Sequence, residues 1–406
     1  MKLRWVVACI MAATYFFYHI SIASAQPKAV PQNGNAGSSP GVALPACFDN
    51  PVLSEAKRML ISGEFANTLR EIQRLAKTGI SLKLILPAQA EVFRQTDYLD
   101  RELQQLYNWS LADPKNEEPQ LRLFYRYFDL GWTAEAAKVS ERAYQIAPRS
   151  TGPLTAKAIY FYRSDEPQRG LPFVDSALKL HPNSESLINL KASILIKAHQ
   201  SANAIPFLQQ NIARNPRSLP NQEALANAYL QSGKPTEAGS IFRQLQLQNP
   251  AHIEAAYQLG LLAQKKGDYK EAIHQFEKTV RLDIKHNNVA FLLGQLYLTH
   301  GKAEDGRKLL AIFKKLDANT RTYNQTIVQL RTRPKDAALH YKMAQFHLGS
   351  AEYSKAIVEL RRVLELQPIH PSARQELAKA LNEHGRATEA REVMDAARPQ
   401  RPGTHR

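Results

Sequence analysis

Apolar residues in the stretch 253–286 recur with the spacing of one helix face, pause at a turn, and then recur in the same way. Gly260 lets a second helix approach the first closely, and Gly267 supplies the positive φ that ends the first helix. Asp268 can cap the second helix, whose packing face carries Ala272, Phe276 and Thr279. The stretch therefore predicts a helical hairpin, which cannot bury its apolar face without stacked neighbours.

The same pattern returns every 34 residues along most of the chain. The repeats are predicted to begin at Asp49, Lys83, Glu117, Thr151, Glu185, Leu219, Ile253 and Asn287, and, after an insertion, at Ala337 and Pro371. Nine of the ten residues at the eighth position, and eight of the ten at the twentieth, are Ala or Gly, as closely crossing helices require. The turn between the two helices falls at Gly63, Gly131, Gly233, Gly267, Gly301 and Gly385, and at Asp97, Asp165, His199 and Ala351 in the other repeats.

This pattern resembles the tetratricopeptide repeat (TPR) family, whose repeat has 34 residues. The resemblance covers residues 49 to about 404 and implies an all-α fold, an α-solenoid with a right-handed superhelix of about ten helix-turn-helix repeats. The first two repeats depart most from the family pattern. Glu102 stands where a small residue is expected, and Pro87 falls inside a predicted helix.

Sixteen extra residues, 321–336, follow the eighth repeat. Apolar residues at heptad spacing predict that its second helix runs on to about Arg331, although an extension and a separate helix both remain open. The segment is basic, with Arg307, Lys308, Lys314, Lys315, Arg321, Arg331 and Arg333 in and before it. It either packs on the chain's own repeats or serves as a docking or dimerisation strut (321–333). The last repeat, which has no added capping helix, is a second surface where a homodimer could form.

The first 25 residues have the pattern of a cleaved signal peptide. Lys2 and Arg4 precede an apolar run, and Ala23-Ser24-Ala25 forms a small-x-small cleavage site. Residues 26–48 are rich in Pro, Gly and Ser and predict a flexible linker before the solenoid of residues 49–404. We expect an exported protein, periplasmic or secreted. The alternative is an uncleaved helix that anchors the chain to the membrane.

The formal net charge is +16, and it falls to +14 when Lys2 and Arg4 leave with the signal peptide. Such a charge favours acidic polymers, anionic membrane surfaces or acidic proteins as partners. Nucleic acid is not an expected partner, because the protein is predicted to be exported and has no nucleic-acid-binding motif. Cys47 would be the one cysteine left after cleavage, so no internal disulfide is expected. The sequence has no zinc-protease or phosphate-loop motif, and we expect no cofactor, no metal and no catalysis.

The TPR resemblance implies a ligand groove lined by the first helix of each repeat. By the family's pattern, ligands meet positions two, five, six, nine, twelve and thirteen, where this sequence offers aromatic rings, amides and cations. The expected partner-binding residues are Arg122, Tyr125, Phe128, Tyr162, Arg163, Asn189, Lys197, Asn227, Tyr257, Gln258, Gln264, Lys265, Phe291, Gln295, Tyr341, Lys342 and Gln345. Rigid rings provide contact area, and amides can satisfy the backbone of an extended peptide.

Three function classes are consistent with these features. The first is an exported TPR scaffold that binds protein or peptide segments, acidic ones included, in the groove. The second is an adaptor for envelope or exopolysaccharide assembly or secretion, which would bind acidic polymers through its basic surface. The third, an accessory domain of an enzyme, would need catalytic residues that the repeats do not supply.

Overall fold

The computed structural model of the protein describes residues 44–396. In that part of the chain, twenty α-helices follow one another as ten consecutive pairs, one pair for each predicted repeat. The helices of repeats one to five are α1 (Ser54–Ile61), α2 (Phe65–Lys77), α3 (Leu82–Gln95), α4 (Leu99–Ala112), α5 (Glu118–Asp129), α6 (Thr133–Ile146), α7 (Thr151–Arg163), α8 (Pro167–Leu180), α9 (Glu185–Lys197) and α10 (Ser201–Arg214). Those of repeats six to ten are α11 (Leu219–Gln231), α12 (Pro235–Gln248), α13 (Ile253–Lys265), α14 (Tyr269–Leu282), α15 (Val289–Thr299), α16 (Ala303–Thr332), α17 (Ala337–Gly349), α18 (Tyr353–Leu366), α19 (Ala373–Glu383) and α20 (Ala387–Asp395).

The all-α repeat fold expected from the sequence is confirmed. The predicted signal peptide at residues 1–25, the predicted linker as far as residue 43, and the tail from residue 397 lie outside the described residues. The chain divides into two compact units. One unit is Leu103–Phe346, and the other joins the described residues up to Glu102 with those from His347 onward.

The turns between paired helices depend on a left-handed residue. All ten turn positions have a φ between 56° and 86°, including the non-glycine residues Asp97, Asp165, His199 and Ala351. A side chain is strained in this region of φ. The four non-glycine residues therefore hold their conformation because the helices on either side pack against each other.

Small residues at the eighth and twentieth positions bring the paired helices close together. A Cβ on Gly260 would lie 2.6 Å from the Phe276 ring, which is fully buried. A Cβ on Gly306 would lie 2.7 Å from the backbone oxygen of Gly294, so neither helix could retain its position. The glycines in repeats seven and eight therefore set the distance between their helices.

The ordered packing of the first repeat begins before the position that the sequence predicts. Two short 3-10 turns, Ala46–Asp49 and Pro51–Leu53, precede α1, which begins at Ser54 rather than at Asp49. Phe48 is 1% exposed and joins the core of this repeat, and Cys47 packs against the same core. The predicted end of the linker at residue 48 is therefore too late, because the side chain of Phe48 packs in the core of the first repeat.

The insertion after repeat eight extends α16 into one continuous helix of 30 residues. Its second half packs on α6 of repeat three, where Ile327 covers Gly131 so closely that a Cβ there would lie 2.8 Å from Ile327 Cγ1. Tyr323 packs on Phe346 with ring centroids 4.3 Å apart, and Leu330 is buried with Leu339 and Met343. The apolar face of the extension is thus covered by the chain's own repeats, which removes the reason for placing a second copy there.

A group of buried charges joins repeat two to repeats nine and ten. The Asp100 carboxylate accepts hydrogen bonds from Arg386 at 2.7 and 2.9 Å and forms an ion pair with Arg361, whose Nε lies 2.9 Å away. Glu389 pairs with Arg386, with Arg361 and with Arg101 at 2.8, 3.1 and 2.9 Å. We call these five residues the arginine–carboxylate cluster. Its residues Arg386 and Glu389 lie at the start of the last helix, α20.

Candidate binding surface

The first helices α5 to α17 carry all the residues expected to line the groove, and all lie in the unit Leu103–Phe346. The exposed ones are Tyr125, Arg163, Lys265, Gln295, Lys342 and Gln345. Those of intermediate exposure are Arg122, Phe128, Tyr162, Asn189, Lys197, Asn227, Gln258, Gln264, Phe291 and Tyr341. Tyr257 is buried. The set therefore does not form one uniformly accessible surface.

The aromatic members are used mainly for packing within the chain. Tyr257 is 8% exposed, and its hydroxyl donates to Asn288 Oδ1 at 2.7 Å. Phe128 lies with its ring centroid 4.7 Å from that of Phe124, and Phe291 lies 5.1 Å from Phe313. The expectation that Tyr257 is a ligand anchor is therefore corrected, because its ring and hydroxyl are already satisfied by the next repeat.

Two of the five cations expected in the groove are neutralised by neighbouring acids. Arg122 donates to Glu118 at 2.8 Å. Lys197 donates to the carbonyl oxygen of Tyr162 at 2.7 Å and pairs with Asp165 at 3.1 Å. Arg163 and Lys265 are exposed and have no ion-pair partner in residues 44–396. The first-helix surface is thus less basic than the sequence suggests.

Two carboxylates and two histidines form the polar centre of the surface in repeats six and seven. Glu223 Oε2 lies 3.4 Å from His252 Nε2, and Glu254 Oε2 lies 2.9 Å from His286 Nε2. We call these four residues the carboxylate–histidine cluster. His252 Nδ1 accepts the backbone N–H of Ala255 at 3.2 Å, so in the neutral ring Nε2 carries the proton.

The electrostatics of this cluster leave Glu223 poorly compensated. Burial, followed by the neighbouring Glu254 carboxylate, raises the pKa of Glu223, and His286 opposes this only in part. Burial lowers the pKa of His252, so this ring adds no positive charge at neutral pH. Neither carboxylate is among the partner-binding residues expected from the sequence, although Glu223 and Glu254 occupy groove positions five and two of their repeats. Listing the acidic residues at the groove positions would have identified both.

No group of three or more His, Cys, Asp or Glu side chains is placed to hold a metal ion within the described residues. His340 and His347 are buried and hydrogen-bonded, to the Pro334 carbonyl at 3.0 Å and to Glu352 at 2.7 Å. None of the helices described here is both long and apolar enough to span a bilayer.

Comparison with known families supports the repeat assignment. Two models described as tetratricopeptide repeat match residues 257–319 and 347–406, and a model of the anaphase-promoting complex, cyclosome, subunit 3 matches residues 197–279. The two matched stretches are tetratricopeptide repeats, and the ten helix pairs of residues 44–396 repeat the same helical arrangement. TPR proteins are typically non-catalytic scaffolds that bind protein or peptide partners. No curated protein matches the chain at a significant level.

Solved structures give the same fold. A TPR protein from Parabacteroides merdae ATCC 43184 has a TM-score of 0.52 and 14% identity, over 63% of this chain and 100% of that one. PilW, a type IV pilus biogenesis factor, has a TM-score of 0.47 and 18% identity, over 53% of this chain and 97% of that one. PilF of Pseudomonas aeruginosa has a TM-score of 0.43 and 20% identity, over 49% of this chain and 91% of that one. At these identities the first match indicates the fold alone, and the other two scores are too low to support any argument.

Proposed function

We propose that the protein is an exported, non-catalytic scaffold that binds segments of partner proteins along the first helices of repeats five to eight. The export part rests on Lys2, Arg4, the apolar run and the Ala23-Ser24-Ala25 site. The binding part rests on one observation. Glu223 is a half-buried carboxylate on the first-helix surface, and its nearest partner, His252, adds no positive charge at neutral pH.

A cationic side chain from a partner would correct this imbalance. A Lys or Arg placed between Glu223 and Glu254 would relieve their mutual repulsion and form charge-assisted hydrogen bonds. Asn227 is half-buried one turn beyond Glu223 on α11, and its side-chain amide can hydrogen-bond the backbone of an extended segment. The partner segment is therefore an extended stretch that carries Lys or Arg.

The test uses a labelled peptide of alternating Lys and Ala, with its acetyl-lysine form as the uncharged control. The double substitution Glu223→Gln and Glu254→Gln should weaken binding of the charged peptide about tenfold or more, as expected for loss of a charge-assisted contact. Glu237→Gln, which removes an exposed carboxylate from the second helix α12, should leave the affinity unchanged. Equal binding of the charged and acetylated peptides would remove the support for this partner class.

A second candidate function is supported by the long helix α16. Arg307, Lys314, Lys315 and Arg331 are exposed on it, and none of them has an ion-pair partner in the part of the chain that the structure describes. An adaptor could hold an acidic polymer on this face by electrostatic attraction. Lys314→Glu with Lys315→Glu should then abolish binding of polygalacturonate and leave peptide binding at Glu223 intact. Retained polygalacturonate binding would exclude α16 as its site.

A further inference from the structure

The seventh position of the repeat is occupied by a buried apolar residue in six repeats and by lysine in two. Apolar residues stand there in repeats three and six to ten, namely Leu123, Leu225, Leu259, Leu293, Met343 and Leu377, and all of them are buried. Repeats four and five carry Lys157 and Lys191 instead. Two successive repeats thus place a cation where six of the other eight place part of the core.

The two lysines are held in the same way. Lys157 Nζ donates to Glu141 Oε2 at 2.8 Å, sixteen residues earlier, and lies 5.6 Å from the ring centroid of Phe173. Lys191 Nζ lies 2.8 Å from Asp175 Oδ1 and 5.1 Å from the centroid of Phe207, with the same sequence spacings. Each lysine therefore bridges an acid of the preceding repeat and an aromatic ring of its own repeat.

Lys157 is the more enclosed of the two. It is 8% exposed, and the rings of Phe161 and Tyr160 also face its Nζ, with centroids at 5.1 and 5.9 Å. Burying an ion pair costs desolvation energy, and replacing such a pair with well-packed apolar groups is often neutral or stabilising. Leu or Met at the same position in six other repeats shows that a repeat can fold without a charge there. The fold alone therefore gives no reason for a lysine here.

Lys157 lies in an open cleft between α6, α7 and α8 with a volume of about 580 Å³. Its charged lining consists of Lys138, Glu141, Arg142, Lys157, Glu166 and Arg169. Glu166 pairs with Arg169, whose guanidinium carbon lies 4.5 Å from the Phe161 centroid. Lys138 and Arg142 are exposed and have no ion-pair partner within residues 44–396. The cleft thus has two uncompensated cations at its mouth and a buried one at its floor.

We propose that this cleft binds an acidic side chain of a partner protein, whose carboxylate takes the place of Glu141 on Lys157. The site lies on repeats three and four, between the second helices α6 and α8 and the first helix α7, and is separate from the first-helix surface of repeats five to eight that carries the proposed function. Glu141 can leave at little cost, because half of its side chain is exposed and water can solvate its carboxylate. Arg142 and Lys138 would attract the incoming acid and then lie beside it.

This arrangement predicts opposite effects for the two members of the ion pair. Glu141→Gln removes the internal competitor and should tighten binding of a carboxylate ligand. Lys157→Met removes its main partner and should weaken binding about tenfold or more, the effect expected for one charge-assisted hydrogen bond. Methionine fits a position that is Leu or Met elsewhere, so the Lys157→Met protein should fold and melt at or above the temperature of the wild type.

The experiment measures fluorescence anisotropy with labelled hexaglutamate, against hexaglutamine as the uncharged probe and Lys270→Met as the control. Lys270 is an exposed lysine on the second helix α14, and it controls for the general attraction of a basic protein. We expect weaker binding for Lys157→Met, tighter binding for Glu141→Gln, and no change beyond twofold for Lys270→Met.

Three outcomes would overturn the proposal. These are equal losses for Lys157→Met and Lys270→Met, unchanged or weaker binding for Glu141→Gln, and a Lys157-dependent affinity for an oligogalacturonate without affinity for hexaglutamate. Circular dichroism and thermal melting of each variant separate loss of binding from loss of structure.

Discussion

Removal of the Asp100 carboxylate should destabilise the unit that joins repeat two to repeats nine and ten. Asp100 accepts two charge-assisted hydrogen bonds from Arg386, at 2.7 and 2.9 Å, and forms an ion pair with Arg361 at 2.9 Å. In Asp100→Asn the buried Arg386 and the half-buried Arg361 keep only Glu389 as a charged partner. Breaking a buried pair from one side costs about 3–5 kcal/mol. Urea denaturation followed by circular dichroism measures this difference in the free energy of unfolding.

The pH dependence gives the same contact a second signature. The pKa of Asp100 lies well below its ordinary value, because the attraction of Arg386 and Arg361 outweighs the burial that would raise it. A carboxylate with a depressed folded-state pKa contributes stability above its unfolded pKa of about 3.9, and this contribution is lost as the pH falls below that value. The difference between the variant and the wild type should therefore be full at pH 7 and shrink below about pH 4.

Asp49→Asn is the matched control for this prediction. Asp49 pairs with Lys57 at 2.9 Å, but its side chain is 76% exposed. An exposed pair of this kind contributes little, so the control should unfold within about 0.5 kcal/mol of the wild type. Equal unfolding free energies for Asp100→Asn and Asp49→Asn would show that the arginine–carboxylate cluster does not form in solution.

Three further predictions concern the binding surface and the helix crossings. The pKa of Glu223 is raised in the folded protein, so this residue favours folding below its unfolded pKa of about 4.3 and loses that contribution as the pH rises. Glu223→Gln should therefore raise the melting temperature at pH 7 and leave it unchanged at pH 4. Gly306→Ala should cost about 1–3 kcal/mol in urea denaturation, because its Cβ would meet the backbone of the facing helix, whereas Gly349→Ala has open space and should not destabilise. Ala272→Arg would bury a charge at a fully buried crossing and should cost several kcal/mol, while Lys270→Arg on the exposed face should unfold like the wild type.

The repeat register was predictable because it depends on contacts between neighbours in sequence. The ten turn positions follow from the 34-residue phase alone, and this phase identified even Ala351 as a left-handed residue. The extension of α16 was predictable from the heptad spacing of its apolar residues. Its contact with Gly131 of repeat three was not. A period describes which face of a helix is apolar. It carries no information about the distant repeat that covers this face.

The candidate site was less predictable for a related reason. Position in the repeat tells which side of a helix a residue occupies, but not how deeply it lies or which group neutralises it. Tyr257 is at a groove position and is nevertheless buried, because Asn288 of the next repeat accepts its hydroxyl. Lys197 is at a groove position and is bound to a carbonyl and a carboxylate. The buried Asp100 and Arg386 are 286 residues apart and belong to no local pattern.

The central claim is that partner proteins bind on the first-helix surface beside Glu223. A photo-cross-linking residue placed at Asn227, one turn from Glu223 on α11, tests this directly when ultraviolet light is applied to native envelope extracts. The exposed Gln244 on the second helix α12 is the matched control position. We predict a discrete protein adduct at Asn227 that is lost with Glu223→Gln and Glu254→Gln and is absent at Gln244. Adducts of equal yield at both positions, or an adduct at Asn227 that survives the double substitution, would contradict the claim.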